Sequence, residues 1–160
     1  MDAIVYKPIR LIAEEFEKSE IKYLVLFNEE EKVEILKTVI AIDGGPKADV
    51  CFISNDDNND VIVRIAGLIT SVPDGKKEHL LKAFNIIHLE TRYLTFSLSV
   101  NGDINVGYDF PAFISDDSIG KSAVEVLVRL NQILNQKYSI IAKCLYSSDL
   151  INSTANDSQE

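Results

Sequence analysis

The sequence predicts an α+β domain in which three helices pack on an antiparallel sheet of about six strands, in the order α-β-β-β-β-α-β-β-α. Three observations predict it. Four apolar, β-rich segments follow one another with short connections, which join antiparallel neighbours. The stretch 93–110 alternates apolar and polar residues on either side of Asn101-Gly102, as a hairpin with one wet face does. A broad apolar stripe at helical spacing then runs from Ile119 to Leu145.

The elements follow in order. Pro8 suits the first turn of a helix, and Ile9, Ile12, Ala13 and Phe16 recur at i, i+3, i+4 and i+7 with Glu14, Glu15 and Glu17 outside that stripe. Strands are expected over 21–27, 33–42, 49–54 and 61–70. Asp43-Gly44-Gly45-Pro46 supplies one turn and the polar run Asn55 to Asp60 another. Pro73-Asp74-Gly75 ends the β pattern. A helix over 75–88 follows, carrying Leu80, Ala83, Phe84 and Ile87, with Asp74 as its expected N-cap. In the hairpin, Leu94, Phe96, Leu98 and Val100 share one face, as do Ile104, Val106, Tyr108 and Phe110 on the return strand. Pro111 stops that strand, and Ser115-Asp116-Asp117 offers N-caps to a last helix over 117–146, either continuous or broken near 135–139. The expected organisation is a single domain over 1–146 and a disordered polar tail over 147–160.

Composition bounds the function. A chain of 160 residues with 46% apolar content buries enough surface to fold without a staple. Its net charge of -9 and pI near 4.7, with the basic residues scattered, argue against nucleic acid or an anionic membrane as partner and allow a basic one. Cys51 and Cys144 sit among apolar residues with no CxxC or Cys/His cluster, so two buried, reduced thiols are expected and no zinc. No apolar signal core or membrane-spanning run is visible, which makes the cytoplasm the expected location.

Chemistry-bearing residues form no recognisable active-site motif. His79 and His88 do not share a helix face as an HExxH pair does. The run Asp56-Asp57-Asn58-Asn59-Asp60 lacks the central Gly and closing Glu of a calcium loop. Asp43-Gly44-Gly45 lies between strands and not before a helix, so it reads as a turn and not a phosphate cradle. Asp116 and Asp117 stand where caps belong, leaving Asp109 without an obvious carboxylate partner. No enzyme, cofactor or metal is therefore expected.

One feature points to function. The segments Tyr23 to Phe27, Val39 to Ile42 and Val50 to Ile53 are apolar at every position, as strands buried on both faces are. A second apolar face needs a second cover, from this chain or from a partner. The residues taken as candidates for partner binding are Val25, Phe27, Val39, Ile40 and Phe52.

The segment LLKAFNIIHLETRYLTFSLSVNGDINVGYDFPAF, residues 80–113, resembles the YbjN-like family. The resemblance rests on a helix ending in an Asn-containing turn (Leu81, Phe84, Asn85), a Gly102-Asp103 turn, and a strand closing Tyr108-Asp109-Phe110-Pro111. It continues into the helix bearing Leu127, Leu130 and Tyr138, and covers about the last two-thirds of the chain; the earlier elements match only in order. It implies a fold similar to the type III secretion chaperones, which are small, acidic, often dimeric proteins that hold an extended client segment. It also implies a stress or sensory-transduction regulator with no catalytic residues to carry over. The expectation is thus a non-enzymatic, chaperone-like module that binds a client protein or a second copy. The alternative is a small-molecule sensor or enzyme with a pocket between the last helix and the sheet, using His88 or Tyr93.

Overall fold

A computed structural model of the chain describes residues 4–57, 60–110 and 116–147, the side chains of Asp116 and Asp117 excepted. The expected tail lies outside these residues but for Ser147, as do Pro111 and the expected cap Ser115.

The element order is the one the sequence predicts: α1 (Lys7–Lys18), β1 (Leu24–Asn28), β2 (Val33–Ala41), β3 (Lys47–Ser54), β4 (Ile62–Ile69), α2 (Asp74–Glu90), β5 (Thr95–Leu98), β6 (Ile104–Gly107) and α3 (Asp116–Tyr146). The strands form one antiparallel sheet in the order β1-β2-β3-β4-β6-β5, leaving β1 and β5 as its edges.

The helices bury one face of this sheet. Leu36 and Ile40 of β2, Val50 and Phe52 of β3, Val63 and Ile65 of β4, and Ile104 and Val106 of β6 meet Ile9, Ile12 and Phe16 of α1 and Leu130, Leu134 and Ile141 of α3 in one core. Phe16 and Phe52 meet edge to face at 5.6 Å, a favoured aromatic geometry. Phe84 of α2 stacks on Phe96 of β5 at 5.5 Å.

Helix α1 has no side-chain cap of its own, since Tyr6 stands at its N-cap position. The cap comes from the sheet. Both oxygens of the buried Glu34 carboxylate accept backbone N–H bonds, from Val5 at 2.9 Å and Tyr6 at 2.8 Å, and Asp57 accepts from Lys7 N at 2.7 Å. Two carboxylates at the positive end of the helix dipole pin α1 to the sheet.

Several local expectations need adjustment. Helix α3 runs unbroken through 135–139, where Asn135 accepts a 2.6 Å bond from Asp43 N and donates to Asn131. Pro73 and not Asp74 holds the N-cap position of α2; Asp74 begins the helix and pairs with Lys77 at 2.7 Å. The β5–β6 connection is longer than a two-residue hairpin. Leu98 faces Ile104, and Gly102, at φ 83°, closes the loop by donating to Ser99 O. Val100 accordingly leaves the buried face and is 96% exposed.

Candidate functional site

The face of the sheet opposite the helices is the candidate site. Paired residues in an antiparallel ladder point to the same side, so the register lays out that face in rows. Leu26 pairs with Ile35, Ile35 with Ile53, and Ile53 with Ile62, giving one apolar row across β1, β2, β3 and β4. Leu26 and Ile62 are exposed, and Ile35 and Ile53 are half-buried by their neighbours. Leu24 on β1 and Val39 on β2 extend the patch; each is more than half exposed.

The next row carries charge. Leu24 pairs with Lys37, Lys37 with Cys51, and Cys51 with Arg64. Each cation is matched on the same face: Lys37 Nζ lies 2.6 Å from Asp49, and Arg64 forms a two-pronged pair with Asp109. Asp49 beside it holds the Lys37 ammonium above its ordinary range. Burial pushes the Cys51 thiol up, an effect that Lys37 partly opposes. Cys51 and Cys144 are both free thiols, but each is half-buried and not fully buried as expected.

The candidate partner residues divide between the two faces. Val39 stands on the open face, 54% exposed. Phe52 and Ile40 do not: they point under the helices, at 0% and 7% exposure, and offer nothing to a partner. Val25 and Phe27 also point to the helix side, because Val25 pairs with Leu36 and Phe27 with Glu34. They lie at the β1 edge, however, where Val25 is half-buried and Phe27 is exposed, its ring 6.3 Å from that of Tyr6.

The row Leu26, Ile35, Ile53 and Ile62 escapes sequence reasoning because its strands are apolar at nearly every position, which silences the alternation signal. Charged strand residues carry the information instead. Asp49 sets the outward parity of β3 and Arg64 that of β4, and counting in twos from each reaches Ile53 and Ile62, whereas in β2 Lys37 and Glu34 give opposite parities.

Of the other chemistry-bearing residues, His88 is engaged structurally. His88 Nε2 accepts the Phe96 backbone N–H at 2.7 Å while its ring stacks on Phe96, fastening α2 to β5. Tyr93 is 71% exposed at a positive φ just after α2. An open hollow of about 510 Å³ lies elsewhere, between the end of α3 and the β2–β3 turn, lined by Asp43, Asn135, Tyr138, Ala142, Lys143 and Tyr146 among others. It includes neither His88 nor Tyr93. Among the described residues no group of His, Cys, Asp and Glu is placed to hold a metal ion, and no helix is long and apolar enough to cross a membrane.

No family model matches this sequence, and no curated protein matches it.

Proposed function

We propose that this chain is a non-catalytic, chaperone-like protein-binding module whose binding surface is the open face of its sheet. The observation that carries the reading is the apolar row Leu26–Ile35–Ile53–Ile62, which crosses four strands with no helix over it among the described residues. Water-facing apolar surface of that continuity is rare on a protein that works alone. The row also begins on an edge strand. The outer backbone groups of β1 are unpaired within the sheet, so an extended segment can add beside β1 while its side chains reach the row. Client holding by a stress or sensory regulator fits such a surface.

The test uses the tagged full chain and Leu26→Glu/Ile53→Glu, with circular dichroism to verify the fold. Affinity capture from lysate of the source organism should retain a near-stoichiometric protein on the parent and lose it on the variant. Bound partner should also slow alkylation of Cys51, which lies one row away. Equal retention by parent and variant, or recovery of bait alone at good yield, refutes the reading.

The second reading, a small-molecule sensor or enzyme, has the hollow at the end of α3 to favour it. A metabolite panel that raises the melting temperature of the parent but not of Ala142→Arg would establish it.

A further inference from the structure

We infer that the segment bound on the open face is basic as well as apolar: a protein segment that sets apolar side chains on the row and Lys or Arg side chains beyond one end of it. This rests on the reading of that face as a protein-binding surface and adds the chemistry of the partner.

The inference comes from where the turns fall. Strand β1 runs from Leu24 to Asn28 and returns as β2 from Val33, while β3 ends at Ser54 beside Glu34 and β4 starts back at Ile62. The β1–β2 and β3–β4 turns therefore lie at the same end of the sheet. On the open face the row Leu26–Ile35–Ile53–Ile62 is the last before that end on β3 and β4, and only Asn28 and Val33 lie beyond it on β1 and β2.

Both turns are acidic. Glu29, Glu30 and Glu31 occupy the first and are exposed; Asp56, Asp57 and Asp60 occupy the second and are exposed. Two cations stand at this end: Lys7, whose backbone meets Asp57, and Lys32, which sits in the first turn itself. Asp57 is already engaged by the Lys7 N–H, and Asp56 and Lys7 have partners of their own, so the acidity offered at this end rests on Glu29, Glu30, Glu31 and Asp60. The far side of the row differs: there Lys37 and Arg64 are each neutralised by an aspartate on the same face. The apolar row thus has a charge-balanced side and a strongly negative side, and an acidic rim steers and selects a cationic segment.

The same charges disfavour a second copy as occupant. Each copy carries a net charge of -9 and would bring its own acidic turns to the shared face. Like charges juxtaposed at an interface oppose association.

The test is direct binding by fluorescence anisotropy at low and moderate salt. The full chain is titrated into three labelled octapeptides: a Leu-Lys peptide in which Leu-Ser-Leu-Ser is followed by four Lys, a Leu-Glu peptide with Glu in place of each Lys, and a Ser-Lys peptide with Ser in place of each Leu. Two variants accompany the parent: Glu29→Lys/Glu30→Lys/Glu31→Lys at the rim, and Glu14→Lys/Glu78→Lys/Glu125→Lys as a control of equal charge change on the helices. The Leu-Lys peptide should bind best, and salt should weaken it. The rim variant should weaken it about tenfold or more, and the helix variant by less than about threefold. Leu26→Ser/Ile53→Ser should abolish it.

If the Leu-Glu peptide binds equally well, and binding still depends on Leu26 and Ile53, the open face stands as the binding surface and the basic partner is wrong. The basic partner is equally wrong if neither peptide binds and light scattering shows a dimer that Leu26→Ser/Ile53→Ser dissociates. Equal losses in the rim and helix variants would reduce the effect to net charge and overturn the inference. Absence of both peptide binding and dimer overturns the inference and the reading of the face together.

Discussion

Glu34 shows how one side chain can oppose the pattern of its strand and still be well placed. It is a carboxylate on the helix side of β2, 1% exposed, beneath an apolar core. Burying it would be costly if both oxygens did not accept backbone N–H bonds at the start of α1. Removing it should strand two donors. Glu34→Ala should lower stability by about 2–3 kcal/mol, read as a fall in the urea midpoint with an unchanged m-value. Glu34→Gln keeps one acceptor and should lose less. Tyr23 gives a second residue-scale expectation. Its hydroxyl donates to Glu17 at 2.7 Å, and that bond, aided by burial, pushes its pKa up to about 12 from the usual 10.0. The folded chain thus holds this proton more tightly than the unfolded one. The contribution of the bond is fully present below about pH 10 and is lost as pH rises through about 12. Ultraviolet titration should show a phenolate step near pH 12 that is absent in Tyr23→Phe.

Among the elements, α1 and α3 come close together at Gly120, where a Cβ would come within 2.6 Å of Leu11 O and 2.7 Å of Glu15 Cβ. Glycine is there for close approach, not for an unusual dihedral. Gly120→Ala should push the helices apart and cost about 1–3 kcal/mol by thermal or chemical denaturation, although alanine is the better helix former. Helix α2 is built differently. Its inner stripe of Leu80, Ala83, Phe84 and Ile87 is buried, yet Leu81, Ile86 and Leu89 are exposed on its outer side. Its apolar residues are therefore not confined to one face, although the i, i+3, i+4, i+7 spacing of Leu80, Ala83, Phe84 and Ile87 marks the stripe that packs inward.

At the scale of the molecule the two faces of the sheet make opposite predictions for adjacent residues. Phe52 is fully buried against Phe16, and Phe52→Ala should cost about 3–5 kcal/mol. Its neighbour Ile53 lies half-buried on the open face, and Ile53→Ser should cost about 1 kcal/mol or less while removing partner binding. A denaturation series on the two variants separates core from surface. A cost for Ile53→Ser equal to that for Phe52→Ala would show that something in the chain covers the face.

The sequence by itself determined the identity and order of the elements, because turn chemistry and periodicity are local. Asp43-Gly44-Gly45, Asn55 to Asp60 and Pro73-Asp74-Gly75 mark where strands stop, and the alternation in β6 told Val106 from Asn105 without any tertiary knowledge. The parity of β1, β2 and β3 was not legible in the same way. When both neighbours of Val39 and of Phe52 are apolar or small, a shift of one residue leaves the local pattern almost unchanged. Charged residues could have fixed it, but they disagree within β2, where Lys37 points outward and Glu34 inward. Only the tertiary structure decided between them, because Glu34 is held inside by a helix terminus that lies 28 and 29 residues earlier in the chain. The same long-range event set the whole register of the face. Once Glu34 is drawn under α1, Leu36 and Ile40 follow it inward, and Ile35 and Val39, with Leu26, Ile53 and Ile62 in register, are left to the solvent or to a partner.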